Sequence, residues 1–465
     1  MFAPTAGDGP PVAKKQKRRK REIVGQLRSF KVRMIPTSEQ KTELKRCFAA
    51  ARHAYNHTVT AINDEGARAN FYERRSAYKA SPSRPAWAEG VSKRFVDGGI
   101  EQATNAFKSN FAKRDKDHTH TFDVHRISHR KTKTEVLRVE GDGDAMQKNS
   151  PLLSFRPVPV AGNADLRSEC LALFGCNLKP CGGIRMQDKP KVIDRMLAEG
   201  GRLRETCRIQ WEKRTNQFYF IYVYDLPAQP DPDPEFETKR LVATDPGVRT
   251  FQTYYSPTSG EVGQLLVGET EGIERRCFAI DRLTSKVTKR GNREYASAGG
   301  NAASRSLEQR RRTFRSLKRK LARDRLRLCN HVAYAHYSAA NRLLRRFDVV
   351  ISPHLETQRL VPRDGRVLNS RVARKMLTWS FGLFRARLHS AAFRYAGRHV
   401  LSDTGEPGTT KTCNCGHWHA DLGARSVFHC PRCGIRMSRD VNGARNNFFA
   451  AYGRARGVGW DGVQY

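Results

Sequence analysis

The stretch that most restricts this chain is Leu241 to Thr250, where an apolar run climbs to Asp245 and is broken at once by Pro246 and Gly247. Such a pattern specifies a buried strand that delivers one carboxylate to its end and then turns. A single acid in that position is ordinarily a turn residue, so its meaning depends on whether others join it. Two later segments supply candidates. Phe347 to Ile351 is a second apolar strand followed by Ser352-Pro353-His354-Leu355-Glu356, and Ser438-Arg439-Asp440-Val441-Asn442-Gly443-Ala444-Arg445-Asn446 opens a helix with another acid.

Charge narrows the class of partner. The 465 residues carry 85 Lys and Arg against 46 Asp and Glu, a formal net charge of +39, which points to a polyanion, nucleic acid first. An acidic membrane surface is the competing partner, but no long apolar span or signal-like segment supports it, so no membrane association is expected. At this length two to four domains are expected, since one domain takes roughly 100 to 200 residues. The 11 Cys are four clustered and seven scattered, a usage that fits a reducing compartment and one metal site rather than a disulfide framework.

Taken in order, residues 1–22 form a tail ending in Lys14-Lys15-Gln16-Lys17-Arg18-Arg19-Lys20-Arg21, too self-repelling to pack and similar to a nuclear localisation signal or a plain nucleic-acid-binding arm. Gln26 to Ile35 alternates like a strand. Thr37-Ser38-Glu39-Gln40 is a capping-box signature, and Leu44, Phe48, Ala51, Tyr55, Val59 and Ile62 follow on one helical face. Further helices are expected over Trp87 to Val96 and Ile100 to Arg114, closing a helical region near His120. Arg208 to Glu212 and Phe218 to Tyr224 read as a hairpin around 213–217, its aromatics expected in a core rather than stacked on bases. The Gly- and Pro-bearing segment 140–185, with Cys170, Cys176 and Cys181, gives no pattern. Residues 227–238 are a Pro/Asp-rich stiff linker.

Beyond the linker, strands are expected at 239–244, 250–256 and 261–267, then helices, then the returning strand before Glu356. That order is the one expected of an RNase H-like domain. The Gly/Ala/Ser-rich 296–306 reads as mobile. A helix from Leu307 to Arg345 keeps Phe314, Leu317, Leu321 and Leu328 to one side. Around them stand Arg310, Arg311, Arg315, Lys318, Arg319 and Arg323, a nearly single-signed surface best relieved by phosphates. Ser370 to Ala396 reads as one helix with Met376, Trp379, Leu383 and Leu388 inward, and His399 to Ser402 as a short strand.

Cys430-Pro431-Arg432-Cys433-Gly434 presents two thiolates from a tight turn, as structural zinc requires. Cys413-Asn414-Cys415-Gly416 is one residue shorter and can still place two sulfurs on the same ion, although His417 or His419 could replace one. A redox dithiol or catalytic cysteine lacks a paired base, so a structural zinc ribbon positioning Asp440 is the expected role.

Asp-Pro-Gly after a strand, Glu after a later strand, a ribbon opened by Thr412-Cys413, and Arg439 to Asn446 directly behind it together resemble the TnpB family of transposon-encoded nucleases. With the basic tail the chain is most similar to Fanzor proteins, the eukaryotic and viral members of that group. The resemblance spans roughly 28–454 and is specific over 241–446. It implies an α/β multidomain protein. A wedge β domain (23–37 and 121–226) would be interrupted by a helical recognition domain (38–120), followed after the linker by a RuvC nuclease domain of RNase H-like fold (239–404) with an inserted zinc ribbon (405–436), a final RuvC helix (437–454) and a tail (455–465).

It further implies a bound guide RNA (ωRNA), cleavage of double-stranded DNA beside a short flanking motif, and a monomer within a ribonucleoprotein in the nucleus. Asp245, Glu356 and Asp440 would then hold two Mg²⁺ roughly 3.5 to 4 Å apart for phosphodiester hydrolysis. Cys413, Cys415, Cys430 and Cys433 would hold Zn²⁺, and Asn442 and Arg445 would orient a ligand or phosphate. Two competing expectations are a non-catalytic RNA-guided or plain DNA-binding regulator and an unguided RuvC-like resolvase or transposase.

Overall fold

The computed structural model describes residues 25–140, 153–160, 163–173, 184–187, 202–203, 206–227, 239–296, 304–362, 368–395, 397–402, 408–423 and 425–455. The basic tail at 1–22 and most of the 227–238 linker lie outside them, as do 297–303 of the segment read as mobile and the residues after 455. The chain divides into two compact units, residues 1–228 and 229–465. Among the described residues no helix is long and apolar enough to cross a membrane.

In the first unit, β1 (Gly25–Ile35) is central to an antiparallel sheet. The other strands are β2 (Thr134–Glu140), β3 (Leu153–Val160), β4 (Asn163–Leu173), β5 (Ile184–Met186), β6 (Arg202–Leu203), β7 (Thr206–Glu212) and β8 (Gln217–Pro227). They run in the order β2-β7-β8-β1-β5-β4-β3, with β6 also pairing β8. Thus β1 pairs along its length with β8, some 190 residues later, and the helices between β1 and β2 are an insertion into one sheet.

Alternation decides what that sheet buries. Val32, Met34, Leu137, Ile209, Trp211, Phe218 and Phe220 face inward, and α1 (Ser38–Asn63) covers them with Leu44, Cys47 and Phe48. Trp211 and Phe218 stack at 5.7 Å with planes 4° apart, so the hairpin aromatics are core, as their alternation suggests. The capping box is formed: Gln40 N donates to Thr37 Oγ1 (3.2 Å) and Thr37 N to Gln40 Oε1 (3.0 Å).

The expected pair over 87–96 and 100–114 is a single 3-10 turn (Ala86–Ala88) followed by one long α3 (Lys93–Lys116), and a separate α2 (Phe71–Ala80) precedes them. Gly99 lets α3 cross α1 closely, for a Cβ there would lie 2.2 Å from Ala51 O, while Gly98 faces Arg138 of β2.

The second unit is built on a mixed sheet ordered β11-β10-β9-β12-β13. β9 (Leu241–Pro246), β10 (Gln252–Tyr255) and β11 (Val262–Leu265) form an antiparallel meander. β12 (Val349–Ile351) lies parallel to both β9 and β13 (His399–Leu401). Between meander and return strand come α4 (Glu269–Ala296) and α5 (Ser304–Arg346), a helical pair joined by Ile280, Leu283 and Val287 on one side and Leu317, Leu321 and Leu328 on the other.

Helices cover both faces of this sheet. Val242 and Val350 pack on one face with Leu343, Leu344 and Phe384, whereas Ala243 and Ile351 pack on the other with Phe448 and Ala451 of α9 (Arg439–Ala455). The remaining helices are α6 (Thr357–Leu360), α7 (Ser370–Trp379) and α8 (Phe381–Ala392).

The expected single helix over 370–396 is therefore two, broken at Ser380 in the left-handed region (φ 49°, ψ 60°). Two residues apart on an unbroken helix, Trp379 and Phe381 would point roughly 200° apart. The break lets both meet Phe251, with ring centroids 4.3 and 5.7 Å away. It also leaves Leu383, expected inward, 56% exposed, while Met376, Trp379 and Leu388 are buried. His336 is fully enclosed in the same cluster, and burial together with the Arg387 guanidinium pushes it down to about 4, so it stays neutral.

Candidate active site and metal centre

Period-two alternation fixes where Asp245 points. It shares its face of β9 with Ala243, the face covered by α9, and its carboxylate lies directly on that helix. A Cβ on Gly443 would stand 2.8 Å from Asp245 Oδ2 and 2.9 Å from its Cγ, so any larger residue would force the carboxylate or its surroundings to shift. Asp440 lies in the first turn of the same helix, three residues earlier and a quarter exposed. Glycine in a helix interior costs roughly 1 kcal/mol against alanine, so its presence here answers to the approach of Asp245.

The rest of the segment holds this arrangement in place. Asn442 Nδ2 donates to Thr412 O (2.9 Å), and Asn446 Nδ2 donates to Thr409 O and Thr412 O (2.6 Å each). Asn447 Nδ2 reaches the opposite way, to Thr244 O in β9 (3.0 Å). The Asn414 amide donates to Asn446 Oδ1 (2.5 Å) and accepts from Arg445 Nε and Nη2 (3.1 Å each). Helix α9 is thus a clamp, holding the strand that carries Asp245 on one side and the cysteine-bearing segment on the other.

Asn442 and Arg445 were expected on a ligand or phosphate, and the geometry assigns them differently. Asn442 is buried and spent on backbone carbonyls, and the Arg445 guanidinium braces Asn414 and lies 5.8 Å from the Phe449 ring centroid. Gly443, Asn446 and Asn447 were not singled out as site residues in the sequence. The available signal was their poor fit to a helix interior, where Gly and Asn have no reason to stand unless tertiary contacts use them.

Glu356 is delivered differently. β12 runs parallel beside β9, and Thr244 Oγ1 donates to Ile351 O (3.2 Å), so the two acid-bearing strands end side by side. Five residues past Ile351, Glu356 precedes the four-residue α6 with an exposed side chain, its Oε2 2.7 Å from Arg359 Nε. Among the described residues, the one group of three or more His, Cys, Asp or Glu whose ligand atoms all lie within 4.8 Å of one another is Cys413, Cys415, Cys430 and Cys433. β9 and α9 bring Asp245 within one helical turn of Asp440, whereas Glu356 follows the end of the neighbouring strand β12 and pairs with Arg359. The donor set of the three acids, oxygen alone, suits a hard divalent cation.

The four sulfurs fit zinc by distance and chemistry. Tetrahedral Zn–S bonds of about 2.3 Å place sulfurs roughly 3.8 Å apart. Here Cys413 Sγ is 3.5 Å from Cys433 Sγ, and Cys415 Sγ is 3.5 Å from Cys430 Sγ. His417 and His419 take no place in the group, so the shorter half-site still offers two cysteines. Its turn closes through Gly416 N to Cys413 O (2.9 Å) and the longer one through Gly434 N to Cys430 O (2.9 Å), both glycines at positive φ. Burial pushes the Cys413 thiol up to about 12. For Cys430 burial acts the same way, but the backbone N–H groups of Cys433 and Arg432 together with the Cys415 and Cys433 thiols bring it down to about 7.

On α5 the basic residues stand clear of the apolar seam. Arg310, Arg311, Arg315, Lys318, Arg319 and Arg323 are all exposed. Arg312, Arg315, Arg319, Lys320, Arg323 and Arg327 line one shallow groove, while Lys318 lies over the Phe314 ring at 4.1 Å.

Residues 381–447 match the family described as Cas12f1-like, TNB domain, a span from α8 through Asp440 that contains all four cysteines. Residues 26–68 match the helix-turn-helix domain of IS605 OrfB, although the structure there is strand β1 followed by one long α1. A625R of Paramecium bursaria Chlorella virus 1, named as a transposase, is 26% identical over 90% of this chain and 86% of its own length. The TnpB-like protein L770 of Acanthamoeba polyphaga mimivirus is 24% identical over 94% of this chain and 75% of its own. Among solved structures, a Cas12f1–sgRNA–target DNA complex aligns with a TM-score of 0.48 and 13% identity, covering 89% of this chain and 83% of that one.

Proposed function

Since the chain belongs to the TnpB family of transposon-encoded proteins, we propose that it is an RNA-guided DNA endonuclease cutting at Asp245, Glu356 and Asp440. The observation that carries this reading is the Asp245 carboxylate seated on Gly443, one helical turn from Asp440. A carboxylate placed on bare backbone by a strand on one side and a clamped helix on the other is pre-organised, as a site for in-line displacement at a phosphodiester needs.

In this reading the sheet of the second unit is a RuvC-type, RNase H-like sheet, and Asp245, Glu356 and Asp440 hold Mg²⁺, which supplies water activation and charge neutralisation at phosphate. The chain's own part is positional. β9 and α9 fix Asp245 and Asp440, and the loop after β12 brings Glu356. The four-cysteine ribbon, holding Zn²⁺, keeps 408–412 where Asn442 and Asn446 can grip it. The exposed guanidinium row of α5 meets the phosphate backbone, and base pairing to an ωRNA supplies sequence choice, with a short flanking motif read by the protein. The Fanzor assignment, nuclear entry through Lys14 to Arg21, and a monomer in the ribonucleoprotein belong to the same proposal.

The test is to sequence RNA that co-purifies with the full chain, then challenge the complex with matched double-stranded DNA carrying randomised flanks. One defined RNA and Mg²⁺-dependent cutting are expected, with Asp245→Ala slowing the cut by about 10³-fold or more while RNA retention is unchanged. Cutting at the wild-type rate by Asp245→Ala would overturn the assignment. A binding-only regulator is the second reading, favoured by the Glu356–Arg359 pair, and it predicts tight guided binding without any cut.

A further inference from the structure

We propose that Trp418 is a stacking platform for a base of the DNA strand being cut, a substrate-positioning role resting on the nuclease reading above. The indole is 50% exposed, although the ribbon already has an interior made of Cys413, Leu422, Phe428 and Cys430. Trp418 therefore does not serve that core. Its mounting is nevertheless rigid. Thr412 and Trp418 form an antiparallel bridge, flanked by Cys413 N to His417 O (2.8 Å) and His419 N to Lys411 O (2.9 Å). The ring lies against the backbone of Gly408, at φ +82°, where a Cβ would come within 2.5 Å of Trp418 Cζ3.

The mounting connects to the acids through few joints. Gly408 begins the segment whose Thr409 and Thr412 carbonyls are held by Asn446, and the Thr410 methyl would stand 3.0 Å from a Cβ on Gly443. Gly443 in turn carries the Asp245 carboxylate. An exposed aromatic face is thus fixed to the same clamp as Asp245 and Asp440. Lys411 adds the matching charge, its Nζ 5.7 Å from the ring centroid and tethered to Ala420 O (3.1 Å). An aromatic face with an adjacent cation is what single-stranded DNA binds, since any base can stack on the ring while the ammonium meets phosphate. A base halted there would stop the strand with its backbone presented to the acids.

The experiment uses the full chain with its RNA and a single-stranded DNA oligonucleotide carrying a fluorescent adenine analogue whose emission falls on stacking. Ca²⁺ replaces Mg²⁺ during binding. Trp418→Phe and Trp418→Leu both keep apolar contact with Gly408, but only phenylalanine offers a π-face. The expected result is quenching by wild type, partial quenching by the Phe variant and none by the Leu variant. In Mg²⁺ the Leu variant should show a KM for DNA raised about tenfold with kcat little changed. Zinc content reports the ribbon, and should leucine release zinc, Trp418→Gln takes its place. Wild-type quenching and KM in a zinc-loaded variant without an aromatic ring would overturn the proposal, as would an effect confined to RNA retention. If wild type quenches but never cuts, stacking stands and the nuclease reading alone fails.

Discussion

Asp440 and Glu356 are both acids placed at helix starts in the second unit, yet the two helices could hardly differ more. α9 buries Asn442, Ala444, Asn446, Asn447 and Phe448 and is bonded both to β9 and to the cysteine-bearing segment. α6 is four residues long, buries none of them, and holds Glu356 by an exposed pair with Arg359. One side of the candidate site is thus assembled by folding, and the other waits on a loop. An acid on a short exposed turn can swing when substrate and cation arrive, and an acid on a clamped helix cannot. On the proposed nuclease reading, the clamped pair would set where chemistry occurs, and the loop acid would decide when.

The strongest way to break this contrast is Gly443→Ala. The added methyl would meet Asp245 Oδ2 at 2.8 Å and the Thr410 methyl at 3.0 Å, so either the carboxylate or the ribbon segment must shift. A displacement near 1 Å can cost about 10²-fold in rate, and kcat on matched DNA should fall by about that much with zinc content intact. A variant with unchanged kcat would show that Asp245 does not depend on this seat. Next in size is Asn446→Ala, which removes the 2.6 Å bonds to Thr409 O and Thr412 O and leaves buried carbonyls short of a donor. Stability should fall by about 1 to 3 kcal/mol, read as an earlier thermal transition and faster zinc loss to a chelator. Were zinc loss unchanged, α9 would not be coupled to the ribbon.

How much of this could be read from the sequence depends on the kind of signal. The continuous apolar run and the early break at Pro246 located Asp245, because a strand covered on both faces reads as an unbroken apolar stretch. The cysteine pairs were legible because metal ligands come at turn spacing, and even the short Cys413–Cys415 half joined the group. Trp379, Ser380 and Phe381 were not legible as a break, since a left-handed serine leaves no mark in a helical pattern and only Phe251, more than a hundred residues away, requires it. The same limit hid the clamp. Asn442 was expected to orient a ligand or phosphate because its buried partners, carbonyls at 409–412, have no side-chain signature.

The smallest effect is expected at Arg359 on the loop, and it sharpens the contrast. Arg359 pairs with Glu356 at 2.7 Å while its own side chain is 82% exposed, and such a surface pair is worth at most about 1 kcal/mol. Arg359→Ala should therefore leave folding and RNA retention alone while freeing the carboxylate from its local partner. Less Mg²⁺ should then be needed for half-maximal cutting, by at most about fivefold, with kcat at saturating Mg²⁺ little changed. Glu356→Gln supplies the opposite limit, since it keeps the shape of the turn but removes the charge, and cutting should be lost at every Mg²⁺ concentration. If Arg359→Ala leaves the Mg²⁺ requirement untouched while Glu356→Gln abolishes cutting, the carboxylate is already committed to the site and the loop is no more adjustable than α9. If neither change matters, the two acids on β9 and α9 act without a third, and the parallel placement of β12 beside β9 serves packing alone.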